Sequence, residues 1–243
     1  MAKSKYIIDI NADLGEGYQF DSPLMALVTS ASIACGGHAG DTKSMQQSVL
    51  LAKHHGVRIG AHPSYPDPGN FGRQPMHLAA NELTASLIKQ ISALDAICDA
   101  FECKMHYVKP HGALYNQVAH SSREAHILFD AMQAVNPNLA LMTLANSPIV
   151  ALAQQQGITV IAEAFADRRY LSDGQLSPRS QAGSTIDKVS EVVQQAKAIA
   201  SGQPIPTIDN QPLTITAQSL CLHGDNAHAL QSAERICQAL VSR

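Results

Sequence analysis

Acidic, histidine and lysine residues recur along this chain in short clusters, and each cluster comes directly after an apolar run. Carboxylates and imidazoles in such positions can act as general bases or acids, or they can bind a metal ion. A lysine at the same place can polarise a carbonyl or neutralise an anionic group. The residue types therefore indicate acid–base or metal-assisted chemistry. The candidate catalytic residues are Asp13, Glu16, His38, His62, Lys109 and His111.

A metal site is one interpretation of these residues. Asp13, His38 and His62 could form a site of two histidines and one carboxylate that leaves coordination positions open. Their spacing does not match a compact motif such as HExxH, and a hydrogen-bonding role toward a substrate carbonyl fits them equally well. A protein-bound divalent ion is therefore an open alternative.

A second set of polar residues could hold a substrate. Arginine binds carboxylates and phosphates through two parallel hydrogen bonds. Structural roles compete with this one: turn chemistry for Asn11, a salt-bridge network within residues 163–169 and a helix N-cap for Asp225. The sequence does not decide whether Arg168 or Arg169 faces the site. The candidate substrate-binding residues are Asn11, Arg73, Glu163, Arg168, Arg179, His223 and Asp225.

Seven β-rich runs precede or overlap these clusters. Most are continuous apolar runs, which are typical of strands buried on both faces of a parallel sheet. Between the runs, apolar residues repeat with helical spacing, as at Met45, Val49 and Ala52. Ser121 and Glu124 fit a capping box at the start of one such helix. The predicted strands are 6–10, 32–35, 57–61, 105–108, 139–143, 158–162 and 219–222.

Alternating strands and helices predict an α/β fold. Seven strand–helix units within residues 1–243 favour a single (β/α) barrel domain with about seven parallel strands, and an open doubly wound sheet is the alternative. The proline-rich stretch 201–212 is interpreted as an excursion before the last strand and not as a domain boundary. In β/α barrels the loops that follow the strands meet at one mouth, so the polar clusters are expected to converge there and form an enzyme site.

The composition limits which classes of binding partner and which cellular compartment we expect for this protein. The chain has 243 residues, 45% of them hydrophobic, and a formal net charge of −3 without a Lys/Arg run, which argues against nucleic-acid and anionic-membrane partners. Its five cysteines form no CxxC pair and indicate reduced thiols. Neither a signal peptide nor an apolar stretch of about 18 residues is evident. We therefore expect a cytoplasmic protein. The oligomeric state stays open, with a homo-oligomer as one option.

The polar clusters, taken in order, resemble the LamB/YcsF family. A single stretch would be weak support, but the ordered set spans nearly the whole chain and is specific. The matching stretches are DINADLGE at 9–16, IACG at 33–36, HAGD at 38–41, GAHPSYPD at 60–67, FGR at 71–73, VKPHGALYN at 108–116, EAFADR at 163–168 with Tyr170, LSPR at 176–179 and HGD at 223–225.

The resemblance implies a seven-stranded barrel of the glycoside hydrolase/deacetylase type. It also implies hydrolysis of 5-oxo-L-proline, a cyclic amide, to L-glutamate, coupled to ATP hydrolysis with Mg²⁺ accompanying the nucleotide. The partners that it implies are subunits B and C of a 5-oxoprolinase. Two other functions remain as alternatives: an independent metal-dependent deacetylase or amidohydrolase, and a non-catalytic regulatory subunit that binds a lactam or a sugar.

Four positions depart from the usual family pattern. The family more often has Asn at Ser32, Phe at Gly37, Pro at Thr42 and Arg at Gln74. The loss of an aromatic ring at Gly37 is expected to widen or loosen the barrel mouth.

Overall fold

The computed structural model describes residues 7–222 and 229–241. In these ranges seven parallel strands close into a barrel in the order β1-β2-β3-β4-β5-β6-β9, with β9 hydrogen-bonded to both β6 and β1. The other two strands, β7 and β8, form a short antiparallel hairpin that begins in the proline-rich excursion and ends one residue after it. The strands are β1 (Asp9–Leu14), β2 (Ser30–Ala34), β3 (Arg58–His62), β4 (Met105–Val108), β5 (Ala140–Leu144), β6 (Val160–Phe165), β7 (Ile205–Pro206), β8 (Pro212–Leu213) and β9 (Ser219–Leu222).

Helices pack around the barrel through apolar stripes. In α2, Met45, Val49 and Ala52 are buried as their spacing predicts, and Asp41 caps the first turn by accepting a hydrogen bond from the Ser44 amide. No helix in the described ranges is both long and apolar enough to cross a membrane. The helices are α1 (Asp21–Met25), α2 (Thr42–His55), α3 (Ala80–Ala100), α4 (Gly112–His120), α5 (Ser122–Val135), α6 (Pro148–Gln155), α7 (Val189–Ala200) and α8 (Ala229–Ala239).

The barrel prediction is confirmed, whereas two of the predicted strands end three or four residues too early. The sequence predicts the first strand at 6–10 and the sixth at 158–162, but β1 continues to Leu14 and β6 to Phe165. Asn11, Asp13 and Glu163 therefore lie within strands and not in the loops after them. Polar residues can occupy these strands because they point to the barrel interior, where they bind one another.

A chain of polar contacts runs through the barrel interior. At one end Arg58 contacts Asp9 at 2.8 Å, and Asp9 accepts a hydrogen bond of 2.6 Å from the Ser219 hydroxyl. The Ser219 hydroxyl in turn accepts a hydrogen bond of 2.8 Å from Asn11 Nδ2, and Asn11 Oδ1 accepts one of 3.1 Å from Lys109 Nζ. These contacts join side chains on or next to β1, β3, β4 and β9, so the interior is held together by hydrogen bonds as well as by apolar packing.

The ring of Tyr107 fills the space beside this chain of contacts. It is fully buried, and its hydroxyl lies 3.2 Å from the Ser32 hydroxyl on β2. A Cβ atom at Gly60 would lie 2.2 Å from the ring, so β3 accommodates Tyr107 only because residue 60 has no side chain.

The start of α5 differs from the predicted capping box. The helix begins where expected, but the Ser121 hydroxyl donates its hydrogen bond to the Glu124 carboxylate and the Ser121 side chain caps no backbone amide. Arg123 donates a second hydrogen bond of 2.6 Å to the same carboxylate. The side chains therefore bind each other and not the backbone groups that a capping box requires.

Candidate active site

The six predicted catalytic residues converge at the carboxyl ends of β1 to β4. Asp13 lies in β1, and Glu16 follows that strand in a turn whose Gly15 amide donates a 3.0 Å hydrogen bond to Asp21. His38 lies in the loop after β2, and His62 is the last residue of β3. Lys109 follows β4 directly, and His111 is the N-cap of α4. Neighbouring parallel strands therefore deliver all six side chains to one mouth.

Lys109 lies at the centre of an ion cluster. Its Nζ atom is 2.8 Å from Asp13 Oδ1 and 2.6 Å from Glu163 Oε1. It also lies within hydrogen-bond distance of Asn11 Oδ1 and 3.2 Å from Cys221 Sγ. Burial alone would lower the pKa of Lys109, but the carboxylate of Asp13 and its other acidic neighbours raise it well above the ordinary value. The donors of Lys109 are thus engaged with protein atoms.

Tyr115, on α4, completes the cluster, although it is not among the site residues predicted from the sequence. Its hydroxyl donates a 2.8 Å hydrogen bond to Glu163 Oε2, while the other oxygen of Glu163 contacts Lys109. Burial, followed by the Glu163 carboxylate, raises the pKa of Tyr115 well above its ordinary value, so the hydroxyl stays protonated and remains a donor. One sequence feature could have identified Tyr115: it lies four residues after the N-cap His111, which places both on the same face of α4.

Three histidines and Glu16 form the other half of the site. Glu16 Oε1 lies 2.9 Å from His38 Nε2, 3.4 Å from His111 Nδ1 and 3.8 Å from His62 Nε2. One ligand atom from each of the four residues lies within 4.8 Å of the others, an arrangement that could hold a metal ion. Asp13 Oδ2 lies 3.4 Å from His62 Nε2 and connects this half to the lysine cluster.

The rings themselves have a defined arrangement. His38 and His111 stack face to face, with ring centroids 3.6 Å apart and planes 5° from parallel, and His62 packs edge-on against both. Burial lowers the pKa of His38 to about 3 and that of His111 to about 3, with the His62 charge as the next cause. For His62, burial is outweighed by the Asp13 carboxylate, which raises its pKa. His38 and His111 are therefore neutral at neutral pH.

Six of the seven predicted substrate-binding residues separate into three groups. Asn11 and Glu163 are buried within the lysine cluster. Arg73 is exposed at the mouth, with its guanidinium carbon 5.1 Å from the centre of the Phe71 ring, and that ring packs edge-on against His38. Arg179 is exposed as well. His223 and Asp225 lie outside the described residues.

The structure distinguishes the two adjacent arginines after β6. Arg168 is buried and donates a 2.7 Å hydrogen bond to the Ser177 carbonyl. Arg169 instead pairs with Glu191 of α7 at 3.1 Å. Arg168 is therefore the inward-pointing member of the pair, and it braces the loop that carries Ser177.

Side chains from two other parts of the chain lie next to Gly37, where the sequence predicts a wider or looser mouth. A Cβ atom at residue 37 would lie 2.3 Å from Gln90 Oε1 and 2.4 Å from the Ser64 hydroxyl. Gln90 reaches from α3, accepts a 3.0 Å hydrogen bond from the Ser64 amide and donates one of 2.9 Å to the Ser64 carbonyl. The Gln90 and Ser64 side chains thus take up the space next to Gly37.

Fold and site together define a β/α-barrel protein with an enzyme-type centre of acids, histidines and a buried lysine at its mouth. The sequence matches the LamB/YcsF family over residues 8–243, and the chain belongs to that family.

Similar proteins cover almost the full length of the chain. The 5-oxoprolinase A subunit of Haemophilus influenzae strain PittEE is 47% identical over 233 residues, which are 96% of this chain and 95% of the relative. The 5-oxoprolinase A subunit of Histophilus somni strain 129Pt is 44% identical over 96% of this chain and 94% of its own length. Among solved structures, a lactam utilization protein from Thermus thermophilus is 36% identical and superposes with a TM-score of 0.88, covering 96% of this chain and 95% of its own.

Proposed function

We propose that this protein is the A subunit of an ATP-dependent 5-oxoprolinase, which hydrolyses 5-oxo-L-proline to L-glutamate together with subunits B and C. The observation that carries the proposal is the 47% identity, over 96% of the chain, to a relative of that name. The lactam utilization protein supports the same class of substrate. The barrel alone would not, because β/α barrels host many unrelated reactions.

The chemistry of the substrate gives ATP a clear role. Amide resonance makes a five-membered lactam a poor electrophile near neutral pH. Transfer of the terminal phosphoryl group from ATP to the amide oxygen releases ADP and makes the ring carbon much easier for water to attack. Addition of water, cleavage of the ring C–N bond and loss of inorganic phosphate then give glutamate. The sequence has no P-loop of the form GxxxxGK[ST], so we assign the nucleotide to no particular residue of this chain.

Asp13 is the residue best placed to activate water. Its side chain is 14% exposed, whereas that of its partner Lys109 is only 2% exposed. One carboxylate oxygen is bound by Lys109, which favours the ionised form, and the other lies toward His62. A carboxylate held in this way can take a proton from water as the water attacks the ring carbon.

Arg73 is the best candidate for holding the substrate carboxylate. It is exposed at the mouth beside Phe71, and its positive charge contributes to the lowered pKa of His38, after burial and the larger effect of His62. Its guanidinium group can bind a carboxylate through two hydrogen bonds. Lys109 cannot take this role, because Asp13 and Glu163 already occupy its ammonium group.

The test is 5-oxoproline-dependent release of glutamate, with and without ATP, by this chain alone and mixed with subunits B and C. We expect release only from the full mixture with ATP, and a loss of about 100-fold or more in Asp13→Asn. Absence of glutamate from a correctly assembled mixture would refute the proposal. Full turnover by Asp13→Asn would remove Asp13 from the mechanism.

One observation favours a second candidate, a metal-dependent amidohydrolase that acts alone. The grouping of Glu16 with three histidines resembles the donor set of a catalytic metal site. This candidate predicts that the chain by itself hydrolyses an amide without ATP, so the same assay distinguishes it from the first.

A further inference from the structure

Two histidine nitrogens face each other at the mouth in a way that requires a cation. His62 Nδ1 lies 2.7 Å from the Lys109 carbonyl oxygen, and His111 Nε2 lies 3.0 Å from that of Phe71. Each of these nitrogens must carry a hydrogen, because a carbonyl oxygen can only accept. The remaining nitrogens, His62 Nε2 and His111 Nδ1, are 3.0 Å apart, and in neutral rings both present a lone pair. The repulsion between these two lone pairs must be relieved by a proton or a metal ion that lies between the nitrogens.

A third ligand atom favours a metal ion over a proton. Glu16 Oε1 lies 3.4 Å from His111 Nδ1 and 3.8 Å from His62 Nε2. A point equidistant from three atoms with these separations lies about 2.0 Å from each, which is the usual zinc–nitrogen and zinc–oxygen bond length. A proton between the two rings would engage only the two nitrogens, whereas a metal ion would bind all three atoms.

The surroundings of the two histidines are also those of metal ligands. Metal-binding histidines usually donate their second ring N–H to a carboxylate or a backbone carbonyl, which fixes the tautomer and the ring orientation. His62 and His111 both do so, through the carbonyls of Lys109 and Phe71. We propose that Glu16, His62 and His111 bind one divalent transition-metal ion and leave part of its coordination sphere open.

His38 has a different role in this site. Its ring is parallel to that of His111 at a centroid separation of 3.6 Å, so one ion cannot lie in the planes of both rings. His38 instead donates its Nε2 hydrogen to Glu16 Oε1 at 2.9 Å and positions that carboxylate. The ligand set therefore differs from the Asp13, His38 and His62 set that the sequence suggests, because Asp13 is held by Lys109.

The experiment uses the purified full chain alone and does not depend on its reaction. After treatment with a chelator and removal of the chelator, the chain is titrated with Zn²⁺ by calorimetry and with Co²⁺ by visible absorption, and bound metal is counted by mass spectrometry. We expect one ion per chain and a Co²⁺ spectrum typical of low coordination number. Glu16→Gln, His62→Gln and His111→Gln should each abolish stoichiometric binding, and His38→Gln should weaken it by about 10- to 100-fold.

Two control variants sharpen the result. His120→Gln changes an exposed histidine at the end of α4, and Asp13→Asn changes the acid of the rival ligand set; both should keep one ion per chain. Glu16→Gln keeps an oxygen for His38 to bind, so its far-UV circular dichroism should match the wild type. No stoichiometric binding by the wild-type chain would overturn the proposal. So would binding that survives Glu16→Gln but not Asp13→Asn.

Discussion

The ammonium group of Lys109 lies 2.8 Å from the carboxylate of Asp13, although 96 residues separate the two in sequence. The same ammonium group contacts Glu163, so one buried cation compensates two carboxylates in the barrel interior. A buried charge that loses its partner is strongly destabilising, because it is removed from water without compensation. We therefore expect Lys109 to stabilise the barrel and to keep the carboxylate of Asp13 ionised.

Lys109→Met should lower the free energy of unfolding by about 3–5 kcal/mol, since it leaves Asp13 and Glu163 without their cation. Urea unfolding of the chain alone measures this. The double variant Lys109→Met with Glu163→Gln should recover part of the loss, because one uncompensated carboxylate is gone. Equal stabilities of the single and double variants would argue against a compensating role for Lys109.

Tyr115→Phe should lower the free energy of unfolding by about 1–3 kcal/mol and reduce glutamate formation, because it leaves an oxygen of the buried Glu163 without a hydrogen-bond donor. The matched control is Tyr65→Phe, which removes another buried hydroxyl bonded to Gln117 at 2.6 Å, away from the lysine cluster. We expect similar losses in thermal unfolding but a loss of kcat only for Tyr115→Phe. A drop in kcat of the same size in both variants would contradict this assignment.

Gly37→Ala should destabilise the chain by about 1–3 kcal/mol, the usual cost of overpacking, because its Cβ would meet Gln90 and Ser64. Combining it with Gln90→Ala should reduce that additional cost, since the nearer obstructing atom is removed. A double-mutant cycle in urea measures the coupling. Strictly additive effects would mean that Gln90 does not limit the side chain at position 37.

Stability at acidic pH should depend on Glu124. Burial would raise its pKa, but the hydrogen bonds from Ser121 and Arg123 hold the pKa below the ordinary 4.5. A lowered carboxyl pKa stabilises the fold above the unfolded-state value, and this contribution is lost as pH falls through the folded-state value. Glu124→Gln should therefore lower the free energy of unfolding by about 1 kcal/mol at pH 7.

That difference from the wild type should shrink as the pH is lowered below 4.5, as followed by thermal unfolding at several pH values. The exposed Glu102, 3.7 Å from Lys53, provides the control. Glu102→Gln should change stability little at any pH, because exposed ion pairs contribute little. A pH-independent effect of Glu124→Gln would contradict the argument.

The sequence was sufficient for the fold class and for the convergence of the six catalytic candidates. Continuous apolar runs indicated buried parallel strands, and two of the predicted strands, 105–108 and 219–222, have the observed bounds. The predicted ends of β1 and β6 come too early because Asn11, Asp13 and Glu163 interrupt the apolar pattern. A polar residue that points into a barrel and finds a partner there looks like a loop residue in sequence.

Other features of the site depend on distances that no local pattern encodes. Tyr115 joins the lysine cluster through a contact between α4 and β6, and Gln90 fills the space beside Gly37 from α3. The choice between Asp13 and Glu16 as partner of the histidines depends on which carboxylate Lys109 holds. Such choices are made by tertiary packing, so the residue types were predictable and their pairing was not.

The polar chain from Arg58 through Asp9, Ser219 and Asn11 to Lys109 has a consequence for attempts to transplant this site. In many β/α barrels new activities arise by exchange of loops above an inert interior. Here the polar contacts that support the buried Lys109 extend down the strands to the opposite end of the barrel. The strands and the polar side chains that connect them would therefore have to be transferred together. A graft of the loops alone onto another scaffold would leave the lysine without these contacts.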